Sequence, residues 1–215
     1  MPISTAKLSD ILTSAGFTND RVKVVGQYET SATKEIPFVL YKDVFVRIRV
    51  NDFSFSVKDG NRIITNPFVK SLDIYYSENA NTILKLVSVW PNNIPVRAFP
   101  SIESQETQWR QVGESVNGIP ATLPHVNFVQ ALRKATGTAR AKQIVAYYVL
   151  MSSRNPKIDS VPVWVIHAWG MPPLGVFGLT NQIPGLDQRR ITQMRTLINA
   201  DTGDVYFSDT IPQPQ

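Results

Sequence analysis

Few side chains in this 215-residue chain have the type and spacing that chemistry requires. Cysteine is absent, which removes disulfides, thiolate zinc sites and a cysteine nucleophile. The two histidines are His125 and His167. A metal site would want histidine or carboxylate partners at fixed spacing, and neither HxH nor HExxH occurs, so both read as structural or solvent-exposed. Asp201 and Asp204 flank Thr202-Gly203, and Asp-Thr-Gly is the signature of an aspartic-protease loop. That chemistry needs two carboxylates sharing a proton, and no second Asp-Thr/Ser-Gly is present. A hairpin turn is the simpler reading. G-x-S-x-G, the P-loop and G-x-G-x-x-G are all missing, and Gly113-Glu114-Ser115-Val116-Asn117-Gly118 misses the elbow spacing. The pairs Asp52/Asp59 and Asp201/Asp204 carry no further cue for acid–base work. No catalytic residue, metal ligand or cofactor is expected.

The elements that would position these groups follow from hydrophobic period. Residues 4 to 15 read as a helix capped by Ser4 or Thr5, with Leu8, Ile11, Leu12 and Ala15 on one face and Gly16 as its stop. From Arg21 to about Trp90 the period becomes two. Val44, Val46, Ile48 and Val50 alternate with Phe45, Arg47 and Arg49, the pattern of a half-buried strand. Phe53, Phe55 and Val57 alternate in the same way, and strands follow at Arg62–Thr65, around Leu72–Tyr76 and over Thr82–Trp90. Short connections imply antiparallel neighbours, hence a five- or six-stranded meander with the first helix on one face.

Pro91 to Pro124 carries five prolines and reads as a linker or wrapping connection, with a short helix over Ser101–Val112 that holds Trp109. Asn127 then caps a helix with Phe128, Ala131, Leu132 and Ala135 on one face, ended by Gly137. Ala141–Ser152 is apolar on both faces and reads as a central strand, a second helix being the alternative. Val161–Trp169 is a strand, Met171–Leu186 a Pro/Gly-rich loop, and the Asp-Thr-Gly-Asp turn joins a final hairpin. The expected fold class is α+β, with antiparallel sheets each packed against one or two helices. The expected division is a β-rich domain over 1–95, a connection over 96–124 and a second domain over 125–211.

That second domain resembles a PepSY-type domain over roughly residues 125 to 210. The order is a helix with A-L-x-x-A (Ala131, Leu132, Ala135), a strand over Ile144–Met151, a strand Pro162-Val163-Trp164-Val165-Ile166, then a hairpin. The family hairpin typically reads V-D-A-x-T-G-E-V, and here it is Ile198-Asn199-Ala200-Asp201-Thr202-Gly203-Asp204-Val205. Asn199 and Asp204 depart from the pattern, and the loop 171–190 exceeds the usual connection. The resemblance implies a non-catalytic, mostly extracytoplasmic module of bacteria and archaea, with relatives in peptidase propeptides that restrain the protease. The first 120 residues have no counterpart.

Formal charge is +5, from 22 Lys and Arg against 17 Asp and Glu, which favours acidic partners. The basic residues are scattered, the clusters being Arg189/Arg190, Arg47/Arg49 and Arg133/Lys134/Arg140/Lys142. No apolar run approaches the ~18 residues that span a bilayer. The first residues lack a basic start and an apolar h-region, so the chain is either cytoplasmic or an exported protein whose signal has been removed. The leading expectation is a non-enzymatic, periplasmic or secreted binding or inhibitory module of the bacterial envelope. Its partner is a protein or an envelope component, met through Leu174, Val176, Phe177 and Leu179 of the Pro/Gly-rich loop. Two alternatives are a hydrolase-type enzyme with a dispersed site between the domains, and a nucleic-acid or anionic-polymer binder. The last would use the interleaved Phe45, Arg47, Arg49, Phe53 and Phe55, although Phe53 and Phe55 fall together on what is more simply a core face.

Overall fold

Ser4 opens the first helix, α1 (Thr5–Ala15), its hydroxyl accepting from the Lys7 N–H. Gly16 closes it in the left-handed region at φ +91°. A Cβ on Gly16 would lie 2.3 Å from Asn127 Oδ1, so this glycine also allows α1 to meet the start of a later helix. The structure is a computed structural model that describes residues 4–17, 23–32, 36–39, 43–59, 61–89, 101–170 and 193–210. The expected contact residues Leu174, Val176, Phe177 and Leu179 lie outside them.

Eleven described strands follow: β1 (Lys23–Ala32), β2 (Asp43–Asn51), β3 (Ser56–Asp59), β4 (Arg62–Thr65), β5 (Leu72–Ser77), β6 (Thr82–Ser88), β7 (Glu114–Gly118), β8 (Gln143–Ser153), β9 (Ile158–Trp169), β10 (Gln193–Asn199) and β11 (Val205–Thr210). Two further helices are α2 (Ile102–Gln111) and α3 (Phe128–Lys134). Nine strands form one antiparallel sheet in the order β1-β2-β5-β6-β8-β9-β10-β11, with β7 sharing an edge of β8 with β6. The α+β expectation therefore holds, with the sheet dominant. Strands from 1–95 and from 125–211 lie in that one sheet, joined where Lys85–Val87 pairs with Val145–Tyr147. β7 falls inside the Pro-rich stretch, where no alternating pattern announced a strand.

Period-two alternation sends each strand's side chains to two faces. On the first face lie Ile48, Ile74, Leu86, Ala146, Tyr148, Trp164, Ile166 and Ile198, covered by α1, α3 and a 3-10 turn at Thr138–Arg140. Asn127 caps α3 through a reciprocal pair with Gln130, at 2.9 and 3.0 Å. The helix ends at Lys134, and Gly137 starts the 3-10 turn instead of closing the helix. Trp164 donates its indole N–H to the Val126 carbonyl at 2.7 Å.

Two expectations need correction. Phe53 and Phe55 do not continue a sheet strand. Asp52 turns the backbone at φ +59°, both phenylalanines are buried in the first-face core, and β3–β4 forms a separate hairpin laid on that face. Buried Asn66 fastens this hairpin, donating to Thr138 O and Ala141 O and accepting from the N–H groups of Phe68 and Val69. Nor does β2 have one wet face throughout, because Phe45 is fully buried on the second face, edge-on to Tyr75.

Candidate functional site

The second face of the sheet collects the chain's polar chemistry. Register aligns two rows across it. One runs Arg47, Tyr75, Lys85, Tyr147, Val165, Leu197, Phe207, from β2 to β11. The next runs Arg49, Asp73, Val87, Val145, His167, Arg195, Asp209. In the second row each charged residue lies beside a neighbour able to answer it. Arg49 makes a two-pronged pair with Asp73, both contacts at 2.8 Å. Arg195 does the same with Asp209 at 3.1 and 2.7 Å, and reaches Glu114 of β7 at 2.5 and 3.1 Å. Planar guanidinium geometry suits such doubled contacts to carboxylates.

α2 lies over one end of these rows. Ser101 caps it, and Gln105 and Trp109, four residues apart, form its buried stripe. Trp109 stacks on His167 with ring centroids 6.2 Å apart and planes 6° from parallel. Tyr147 meets the same imidazole edge-on, and its phenol oxygen accepts from Gln105 Nε2 at 3.3 Å. Gln193 brings its side-chain nitrogen to 3.1 Å from His167 Nδ1. The Arg195 guanidinium lies over both Trp109 and Phe207, at 5.6 and 5.4 Å. In the middle of α2, Glu106 accepts from the Phe38 N–H at 2.6 Å.

Burial sets the electrostatics. His167 has no exposed surface, and burial, then the charge of Arg195, pushes its imidazole down to about 3. It is neutral near pH 7. Burial raises the Glu114 carboxyl above its ordinary value, with Arg195 opposing through charge and hydrogen bonds. Burial lowers the Arg195 guanidinium, but the hydrogen bonds and charges of Asp209 and Glu114 more than offset that and leave it raised. A general base must reach the proton it takes, and the His167 ring is sealed between Trp109, Tyr147 and the sheet.

The residues singled out in the sequence separate in space. His125 is exposed, 3.4 Å from Asp201 Oδ1. Asp201 and Asp204 bend the β10–β11 turn: Asn199 Oδ1 accepts from the Asp201 and Thr202 N–H groups, and Thr202 donates to Asp204 at 2.6 Å. Gly203 takes φ +77° there. Among the described residues no group of three or more His, Asp or Glu could hold a metal ion. No described helix is long and apolar enough to cross a membrane. Open hollows lie among the described residues, and two of them are formed as follows. One of about 330 Å³ lies between α1 and the β5–β6 turn, lined by Lys7, Asp10, Ser14, Tyr76 and Asn81. The other, about 380 Å³, lies beside β7 between Arg110 and Arg154.

Sequence reasoning missed Arg195, Glu114, Asp209 and the roles of Gln105 and Tyr147. Arg195 carried a faint signal, since it shares parity with buried Leu197 in β10; Glu114 carried none. Comparison with protein-family models, with curated proteins and with solved structures finds no match.

Proposed function

We propose that this chain is a non-enzymatic binding or inhibitory module, working outside the cytoplasm on a protein or envelope component. The observation that carries the reading is the fate of the groups able to do chemistry. His167, Arg195 and Glu114 are buried and bound to one another or to aromatic rings, so they serve as internal structure. The reading also takes up the PepSY-like resemblance of the sequence, in which α3, β8, β9 and the β10–β11 hairpin would be that module's helix, strands and hairpin. In this reading the chain has two subdomains that meet at the short β6–β8 pairing. The test is a variant pair in the Pro/Gly-rich loop. Phe177→Ser with Leu179→Ser should leave the thermal midpoint nearly unchanged and abolish inhibition of, or capture by, a partner protease or envelope protein. A turnover activity lost in His167→Gln with folding intact would overturn the reading. Fractionation of cells expressing the full gene tests the location.

A second reading has its own observation. Arg47, Tyr75 and Lys85 lie side by side in one row, with Lys85 5.4 Å from the Tyr75 ring centre, and all three are half-buried rather than sealed. Cations beside an aromatic ring on a sheet suit an anionic polymer. Affinity for single-stranded nucleic acid that falls steeply with salt would favour it; salt-insensitive binding, or none, removes it.

A further inference from the structure

The chain's excess of positive charge is concentrated in the cover over the first face. Residues 52–70, which include the β3–β4 hairpin, and residues 128–142, which include α3 and the 3-10 turn, together hold seven Lys and Arg against two Asp. That difference equals the +5 of the whole chain, so everything outside these two stretches is balanced. Lys58, Arg62, Lys70 and Arg133 are exposed, and none of them enters an ion pair among the described residues. β3 lies against α3 and the 3-10 turn, and all three sit on the same face of the sheet, so their outer sides turn the same way. Within the hairpin, the cross-strand pair Val57 and Ile64 packs on the core. The next pair, Lys58 and Ile63, therefore points outward. Ile63 is 79% exposed, the most exposed large hydrophobic among the described residues. On α3, Phe128, Ala131 and Leu132 face the core and Arg133 is exposed. The acids of this cover are the exposed Asp10 of α1, the exposed Asp52 at the foot of the hairpin, and Asp59 in β3.

We propose that this cover is a docking surface for the anionic face of a phospholipid bilayer. Each Lys or Arg held near such a surface is drawn to its negative potential, and the contributions accumulate over the patch. Ile63, carried outward beside Lys58, enters the headgroup region and adds an apolar contact that a purely ionic surface lacks. Single-stranded nucleic acid fits this side less well, because stacking needs open rings. Phe53 and Phe55 are buried here, and the half-buried Phe68 ring has Lys142 at 6.0 Å. The surface lies on the opposite face from the Arg47, Tyr75, Lys85 row. It does not rest on the function proposed above, since it needs neither the Pro/Gly-rich loop nor a protein partner.

Co-sedimentation of the full chain with vesicles of equal parts phosphatidylglycerol and phosphatidylcholine, set against vesicles of phosphatidylcholine alone, tests it. The chain should bind the first kind, less tightly as salt rises, and leave the second largely unbound. Lys58→Gln with Arg133→Gln should weaken that binding about 25-fold, from about fivefold for each charge removed. Ile63→Ser should weaken it about tenfold. All three side chains are exposed, so the thermal midpoint should stay where it is in these variants. Lys85→Gln, on the opposite face, should bind as the wild type does. Absence of binding to the anionic vesicles, or equal binding to both kinds, overturns the proposal without need of a variant. An equal loss in Lys85→Gln, or capture of a single-stranded oligonucleotide in preference to the anionic vesicles, overturns it too.

Discussion

Both faces of the sheet carry a buried apolar cluster, and the second adds buried ion pairs to it. On the first face Trp164, Phe128 and Leu132 meet under α1, α3 and the β3–β4 hairpin, and the polar atoms there, such as the Trp164 indole N–H and the Asn66 amide, end on backbone groups. On the second face a mostly polar helix covers rings and ion pairs. Apolar burial is favourable wherever it occurs and needs no particular partner. A buried charge is tolerable only while its partner stays in place, and replacing both by apolar groups is often neutral. The first face is therefore robust, and the second is conditional.

Removing one member of the ion-pair cluster should strain that contrast most. Arg195→Met leaves Glu114, almost fully buried, without its cation and should cost about 3–5 kcal/mol in chemical denaturation. Adding Glu114→Leu to Arg195→Met should recover more than half of that loss. If the double variant is as unstable as the single, the cluster is not a compensated pair. Tryptophan truncation sharpens the comparison. Trp164→Ala on the first face should lose about 3–5 kcal/mol, as large core deletions do. Trp109→Ala is equally buried but should lose less than half as much, because its cost is limited to the docking of α2. Equal losses would mean that α2 is as integral as α3.

Acid should act on the second face first. His167 is held down in the folded chain, so its contribution to stability is complete above about 6.5 and is lost as pH falls toward 3. The slope is up to about 1.4 kcal/mol per pH unit, and His167→Gln should flatten it. Glu114, held above its ordinary value, acts in the opposite sense, so the part of the slope that His167→Gln removes with Glu114 in place isolates the histidine. A smaller effect belongs to the first face: Asn127→Ala removes the reciprocal cap of α3 and should cost about 1 kcal/mol. Smallest of all, Lys7→Ala breaks the half-exposed pair with Glu78 and should change the denaturation midpoint by less than about 1 kcal/mol.

Apart from the β3–β4 hairpin, the first face was readable in the sequence because it is built from local pattern. Ser4, Leu8, Ile11, Leu12 and Gly16 announce α1, and Asn127 announces α3. Alternation at Val46, Ile48 and Val50 gives β2, and the turn chemistry of Asn199 to Asp204 gives the last hairpin. The strand over Ala141–Ser152, left open against a helix, is β8, and its two apolar parities serve the two faces. The second face was not readable, since its meaning lies in pairs far apart along the chain. Glu114 and Arg195 are separated by 81 residues, and Trp109 meets His167 across three intervening strands or helices of sequence that carry no mark of it. Nothing in a strand such as Ile166-His167-Ala168 distinguishes a sealed histidine from an exposed one. β7 was hidden for a similar reason, its pairing with β8 being fixed by the partner strand rather than by its own short and polar sequence.

The central claim is that the second face's reactive-looking groups are sealed structure. Following the His167 ring resonance by NMR in the full chain, from about pH 8 to about pH 4.5, tests it most directly. A neutral imidazole whose folded-state signal does not titrate over that range is the expected result. A titration midpoint between about 5.5 and 7 would contradict the account, because it would make His167 an accessible base.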